Sequence, residues 1–348
     1  MLLFIGAMPS TSIEVWQIDP RDLAATRVGA VSGLISPSFL CLHPTLARLY
    51  AVERNWSDTD ASTGALTTFD IDRSSGALRQ IDRCRSGGAF TAHVAVSADG
   101  TFLTTANPRG PTIALFQLDG AGLPGPDPDV ATYQGRGAKP RQAEPWPHSA
   151  FFDPAGGHVL ACDLGLDRIF IHRLDRQAKA LVPTEQGFAQ VSSGAGARHL
   201  AVAGDGRKVY VANELDSTVS VFRFDPDTGQ MWVIQTVLTV PAAHAQTNQP
   251  AEILLSPDGR CLYVTNRGDD TLAVFVVDPD TGHLTLKGQI ATHGVSPRHV
   301  AIDQSGKIMA ICNQQSHEVR LFRLGADGLP QLAGFPIAVG NPTCARFF

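Results

Sequence analysis

Carboxylates, imidazoles and guanidiniums recur in this sequence at two kinds of place: near the start of an apolar strand, and at the polar end of the strand that follows it. His93, His148, Arg198, Glu252 and Arg298 occupy strand starts, while Glu53, Arg54, Asn107, Asp163, Asn213, Glu214, Asn266, Arg267 and Asn313 occupy strand ends. In an antiparallel pair the first strand begins, and the second ends, on the same side of the sheet. If such pairs repeat around a ring, all these groups face one central mouth. Together they would supply proton acceptors and donors near neutral pH and fixed positive charge for an anion.

The repeat that would position them is legible. Aligning VAVSADG, AFFDPAGG, LAVAGDGRK, ILLSPDGR and VAIDQSGK makes Phe39, His93, Ser149, His199, Glu252, His299 and Cys344 equivalent, at intervals of roughly 45–56 residues. That period is too long for a helical hairpin and suits a four-stranded propeller blade. The expected fold is all-β, one seven-bladed β-propeller over 1–348 built from four-stranded antiparallel blades. The last blade is split between the chain ends. PTCARFF at 342–348 matches a first strand, and residues 2–7, 12–18 and roughly 24–31 supply the other three. Closure of this kind leaves no open sheet edge.

The apolar opening MLLFIGA therefore reads as a blade strand rather than a signal peptide, and it lacks a basic flank. No run approaches the ~18 apolar residues of a membrane span. A cytoplasmic protein with no membrane partner is the expectation. A net charge of -5 without a basic stripe argues against nucleic acid. The six cysteines show no metal-ligand spacing and read as small buried hydrophobes.

Common catalytic motifs are missing: there is no Gly-x-Ser-x-Gly, His-Glu-x-x-His or Cys-x-x-Cys. GAGLPG at 120–125 satisfies a dinucleotide fingerprint, but Pro124 and the glycine-rich continuation deny it the helix that would hold a pyrophosphate. DPDTG at 225–229 and 278–282 reads as a turn rather than a calcium loop. Three segments break the blade pattern and are candidates for binding contacts. They are 53–64, 241–250 and 119–147, the last carrying Arg136, Lys139, Arg141, Glu144 and Trp146.

PRQAEPWPHS at 140–149, DLGLDR at 163–168, GARHLAV at 196–202, VYVANEL at 209–215 and PAEILLSPDGRCLYVTNRGDDTLAVF at 250–275 make the chain resemble the seven-bladed lactonase family. That family includes bacterial 6-phosphogluconolactonases and fungal carboxymuconate cycloisomerases. The resemblance implies His148, Arg198, Glu214 and Arg267 as catalytic residues. Arg298, Glu252, His93, Arg141 and Asn266 are expected to bind substrate. Trp146 stands where relatives often carry a second histidine, and NPRGPT at 107–112 where they often carry a tyrosine and paired glycines. His199 and His299 are expected to hydrogen-bond between blades, and Asp163 to pair with Arg168 beside a tight turn.

These residue types fit attack on a lactone. Glu214 or His148 would activate water, and the two arginines would hold an anionic group or the oxyanion. The implied activity is metal-independent and cofactor-free hydrolysis of a small anionic sugar-acid lactone, such as 6-phosphogluconolactone. A muconate-type cycloisomerase would use the same arginines for carboxylates. A non-catalytic binding propeller is the third reading, because YVTN at 263–266 also occurs in such repeats.

Overall fold

The computed structural model describes residues 1–54 and 64–348. Seven four-stranded antiparallel sheets form the blades. Pro37–Leu42, His93–Val96, Pro147–Phe152, Ala197–Val202, Gln249–Leu255, Pro297–Ile302 and Pro342–Phe347 are the first strands of blades one to seven, and neighbouring first strands pack against one another around the axis. Burial falls from the axis outwards. Second strands such as Phe102–Asn107 and Ile308–Asn313 are buried throughout, whereas the fourth strand Leu78–Arg85 is largely accessible to solvent.

Blade seven closes as its sequence requires. Leu2–Ala7, Ser12–Ile18 and Ala25–Ser32 follow Pro342–Phe347 in one sheet. Leu3 lies opposite Phe347, Ile5 opposite Ala345 and Gly6 opposite Cys344. Gly6 is required there, because a Cβ would fall 2.4 Å from the Pro37 carbonyl oxygen of blade one.

Apolar side chains from both faces of each blade fill the space between sheets, each fully buried one contributing roughly 1.5–3 kcal/mol. A tyrosine in the second strand adds a polar latch. The hydroxyls of Tyr50, Tyr210 and Tyr263, all fully buried, donate to the carbonyls of Gly122, Gly282 and Gly328 on the following blades. Each latch satisfies a phenol that burial would otherwise leave without a partner.

The DPDTG segments are turns. Asp225 accepts from the Asp227 amide, Asp278 accepts from the Asp280 and Thr281 amides, and Gly229 and Gly282 take positive φ. GAGLPG closes a hairpin through a Leu118–Pro124 bridge. Segment 119–147 is more regular than its composition suggests: Asp129–Thr132 is the fourth strand of blade two, and Pro140–Gln142 forms a 3₁₀ turn. Most of the 53–64 extension lies outside the described residues.

Candidate active site

The first strands do more than begin on one side of the ring: most of them bulge there. The register slips between Pro37 and Phe39, Pro147 and Ser149, Ala197 and His199, Pro297 and His299, and again opposite Gly6–Ala7. The unpaired residues are Ser38, His148, Arg198, Arg298 and Thr343. A bulge re-aims the extra side chain out of the regular alternation, and all five line one narrow axial cavity with Arg54, Ala92, His199 and Glu252. In blade five the slip falls between Pro250 and Ile253.

Glu214 binds two guanidiniums on one oxygen. Arg198 Nε donates to Glu214 Oε2 at 2.9 Å, and Arg267 Nη2 donates to the same atom at 2.8 Å. Arg198 also reaches the Ala251 carbonyl, while Arg267 is steadied by the Gln249 and Pro250 carbonyls. Those carbonyls belong to the last two residues of the 241–250 segment. Arg54 stacks over Phe90, its Cζ 3.9 Å from the ring centroid.

Among the described residues the mouth gathers four guanidiniums, on Arg54, Arg198, Arg267 and Arg298, against the carboxylates of Glu214 and the deeper Glu252. Burial alone would push the Glu214 carboxyl up, but Arg267, Arg198 and Arg298 outweigh it and hold its pKa at about 2. A group so acidic is a poor proton acceptor at neutral pH. Burial, reinforced by Arg198, His199 and Arg54, drives His148 well below the ordinary imidazole value. His148 is therefore neutral and carries a lone pair. Burial and mutual repulsion also lower three of these arginines, Arg54 to about 9, Arg198 to about 10 and Arg298 well below its usual value. Such crowding of like charge suits the arrival of an anion.

The structure brings His148, Arg198, Glu214, Arg267 and Arg298 together. Glu252 and His93 sit one residue deeper, in the ring of side chains below the mouth. Glu252 meets His199, and His93 packs against Phe39 and Phe151. Arg141 stacks on Trp146 with its Cζ 4.3 Å from the ring, on the long segment above blade three. Asn266 faces inward, donating to the Thr239 carbonyl and the Thr271 hydroxyl and accepting from Asn248. Asp163 does stop a tight turn, accepting from the Trp146 and Leu166 amides, but Arg168 stacks on Phe188 rather than forming an ion pair with it. Sequence reasoning does not single out Ser38 or Thr343 as cavity-lining residues, though it does place Arg54 on the mouth face. The repeat alignment contains the signal for the first two, since both immediately precede the aligned positions Phe39 and Cys344.

The buried histidines predict acid sensitivity. Burial first, and neighbouring cations after it, hold His93, His148 and His199 well below 6.5, and His299 at about 3. Below pH ~6.5 the unfolded chain thus binds protons that the folded one refuses, so this contribution is complete above that pH and is lost as pH falls, by up to about 1.4 kcal/mol per unit per histidine. The melting temperature is expected to drop between pH 7 and 5, these four buried histidines outweighing the Asp163 carboxyl, which burial pushes up to about 7 and which opposes them there. A flat profile over that interval would contradict the assignment.

The class that the fold and the site define is a seven-bladed propeller with a buried, cation-rich axial mouth beside a neutral imidazole. The chain belongs to the seven-bladed β-propeller lactonase family, whose profile matches residues 3–347. It is 28% identical over 339 residues to the 6-phosphogluconolactonase of Bacillus subtilis, covering 97% of this chain and 95% of that protein. The Formosa agariphila 6-phosphogluconolactonase is 29% identical, with 92% of each chain covered. Among solved structures, a periplasmic gluconolactonase of Pseudomonas aeruginosa superposes with a TM-score of 0.92 at 29% identity, covering 99% of both chains. No helix among the described residues is long and apolar enough to cross a membrane.

A larger cavity of about 640 Å³, lined by Arg260, Cys261, Lys287, Lys307 and Asp327, opens between blades five and six at the opposite ends of the strands. Neither an imidazole nor a buried ion pair faces it, so the axial mouth is the better candidate despite its smaller size.

Proposed function

We propose that the protein hydrolyses a sugar-acid lactone at the axial mouth, with a phosphorylated lactone such as 6-phosphogluconolactone preferred and no metal or cofactor taking part. The observation that carries this reading is the convergence of Arg198, Arg267, Arg298 and Arg54 beside the neutral imidazole of His148. The names of the relatives point the same way.

In this scheme the guanidiniums take the anionic tail and the developing oxyanion, since a planar fork that is charged at neutral pH serves both. Bringing in an anion relieves the repulsion among them and lifts the basicity of His148, so the base is strengthened when substrate arrives. His148 Nε2 accepts a proton from water as the oxygen attacks the carbonyl carbon. The tetrahedral intermediate collapses with cleavage of the ring C–O bond, and His148 returns the proton to the departing alkoxide. Glu214 stays ionised throughout and fixes the angle between Arg198 and Arg267. A cytoplasmic site of action is part of the proposal and rests on six free cysteine thiols, four of them buried.

The test is a parallel assay of chelator-treated protein on 6-phosphogluconolactone, unphosphorylated gluconolactone and a muconate-type diacid, with spontaneous hydrolysis subtracted. The highest kcat/KM is expected on the phosphorylated lactone. Turnover of the diacid alone would make the protein a lactone-forming enzyme, and no acceleration on any of the three would remove catalysis from the reading.

A further inference from the structure

The ring below the mouth repeats one contact at three junctions, and the junction after blade four departs from it. At those three, the aligned first-strand side chain accepts from a backbone N–H on the next blade, whereas Ser149 donates to the Arg198 carbonyl. Ala150 N–H donates to His93 Nδ1 at 3.4 Å, Ala345 N–H to His299 Nδ1 at 3.4 Å and Leu40 N–H to Cys344 Sγ at 3.4 Å. Those two imidazoles therefore carry their proton on Nε2. Between blades four and five the equivalent amide, on Ile253, turns instead to Glu252 Oε1 of its own blade at 3.3 Å. His199 Nδ1 meets that same carboxylate oxygen at 3.0 Å.

A carboxylate only accepts, so His199 must hold its proton on Nδ1, the opposite tautomer to His93 and His299. Its Nε2 is then a lone pair. That lone pair lies 3.2 Å from His148 Nδ1, which must be the donor. Among the described residues no hydrogen bond engages Nε2 of His148, the nitrogen left to face the cavity as a lone pair. His299 Nε2 lies 3.5 Å from the other carboxylate oxygen of Glu252, an oxygen with no hydrogen-bond partner among the described residues. All three linked groups are buried: Glu252 at 6% exposure, His199 at 1% and His148 at 4%. Among the described residues no three such side chains are placed to hold a metal ion.

We propose that Glu252 and His199 are positioning residues, a carboxylate–imidazole–imidazole relay that holds His148 in the tautomer with Nε2 free and stabilises the imidazolium formed when His148 takes a proton. This rests on His148 being the base of the proposed hydrolysis. The relay explains why a carboxylate stands in a ring otherwise made of Phe39, His93, Ser149, His199, His299 and Cys344. It also supplies the negative charge that a protonated His148 would otherwise lack so close to three arginines. An orienting carboxylate acts in this way through geometry and charge, without itself becoming protonated.

The experiment is nitrogen-15 NMR of the histidines in the intact protein, with Glu252→Gln and Glu252→Asp variants and steady-state kinetics on the best lactone. In the wild type, His199 and His148 are expected as Nδ1–H tautomers, and His93 and His299 as Nε2–H. The side-chain amide introduced by Glu252→Gln can donate to His199 Nδ1, so this variant should turn both relay rings to Nε2–H and lower kcat about 100-fold with KM within about threefold. Glu252→Asp, which keeps the charge, should restore the Nδ1–H form and most of kcat. A wild-type His148 protonated on Nε2 overturns the relay whatever the variants do. So does a Glu252→Gln protein that loses only thermal stability and keeps its tautomers and kcat. If no lactone is turned over, the proposed hydrolysis fails, while the wild-type tautomers still decide whether the relay exists.

Discussion

His148→Asn is expected to lower kcat on the best lactone by about 100-fold to 10,000-fold, the usual contribution of a positioned general acid–base, while leaving KM nearly unchanged. Two carboxyl and imidazole groups compete for the role of base, and their surroundings separate them. Glu214 is held at about 2 by Arg267 and Arg198, whose two charge-assisted hydrogen bonds to Oε2 favour its ionised form. His148 is neutral and lines the cavity. Asparagine is close to imidazole in size and can still donate to His199 Nε2, so the fold and the guanidiniums should survive, which circular dichroism and melting would verify. Burst and steady-state rates would show whether attack or release has slowed. Full activity in this variant would move the base elsewhere.

The fold was legible because its evidence is periodic. Each blade must bury an apolar first and second strand, stop on an Asp- or Gly-containing turn and place its mouth residues at equivalent positions, so one register explains all seven repeats. The split blade followed from the same register, and Leu3 opposite Phe347 is what that alignment demands. What composition hid was the ordered part of 119–147. Asp129–Thr132 is only four residues long among Gly and Pro, and it becomes a strand by pairing with Thr112–Gln117, a tertiary contact that local propensity does not report.

The mouth was legible as a list of positions but not as a hierarchy. Pattern reading places Glu252 beside Arg298 and His93 beside His148, because strand starts look alike at one-residue precision. The bulges decide which residue turns to the cavity and which stays in the ring below, and a bulge leaves no compositional mark. Asn266 shows a related limit: at a strand end its amide can face a ligand or close its own turn, and here it does the latter. Glu214 was the sharpest case. A carboxylate at an unperturbed pKa reads as a base, and only its distances to two arginines reveal that it serves them instead.

Glu214→Ala should therefore behave as a charge-balance mutation rather than as loss of a base. Glu214 is 9% exposed and Arg198 2% exposed, so removing the carboxylate leaves buried guanidiniums without their partner. Breaking one side of such a pair typically costs about 3–5 kcal/mol. The loss should exceed that of Glu214→Gln, whose amide oxygen can still accept from Arg198 and Arg267. The sign of the pH response is fixed by the same pair. The folded pKa of Glu214 lies below its unfolded value of about 4.5, so its stabilisation is complete above that pH and disappears as pH falls towards about 2. In Glu214→Ala this acid-dependent component should vanish from the melting profile. Added phosphate or 6-phosphogluconate should raise the melting temperature of Glu214→Ala more than that of the wild type, because an anion that binds only the folded protein replaces part of the missing charge. Calorimetry across an anion titration measures both terms. Equal shifts in the two proteins, or a variant as stable as the wild type with kcat alone reduced, would return Glu214 to the role of base and leave the arginines as its pKa-lowering neighbours only.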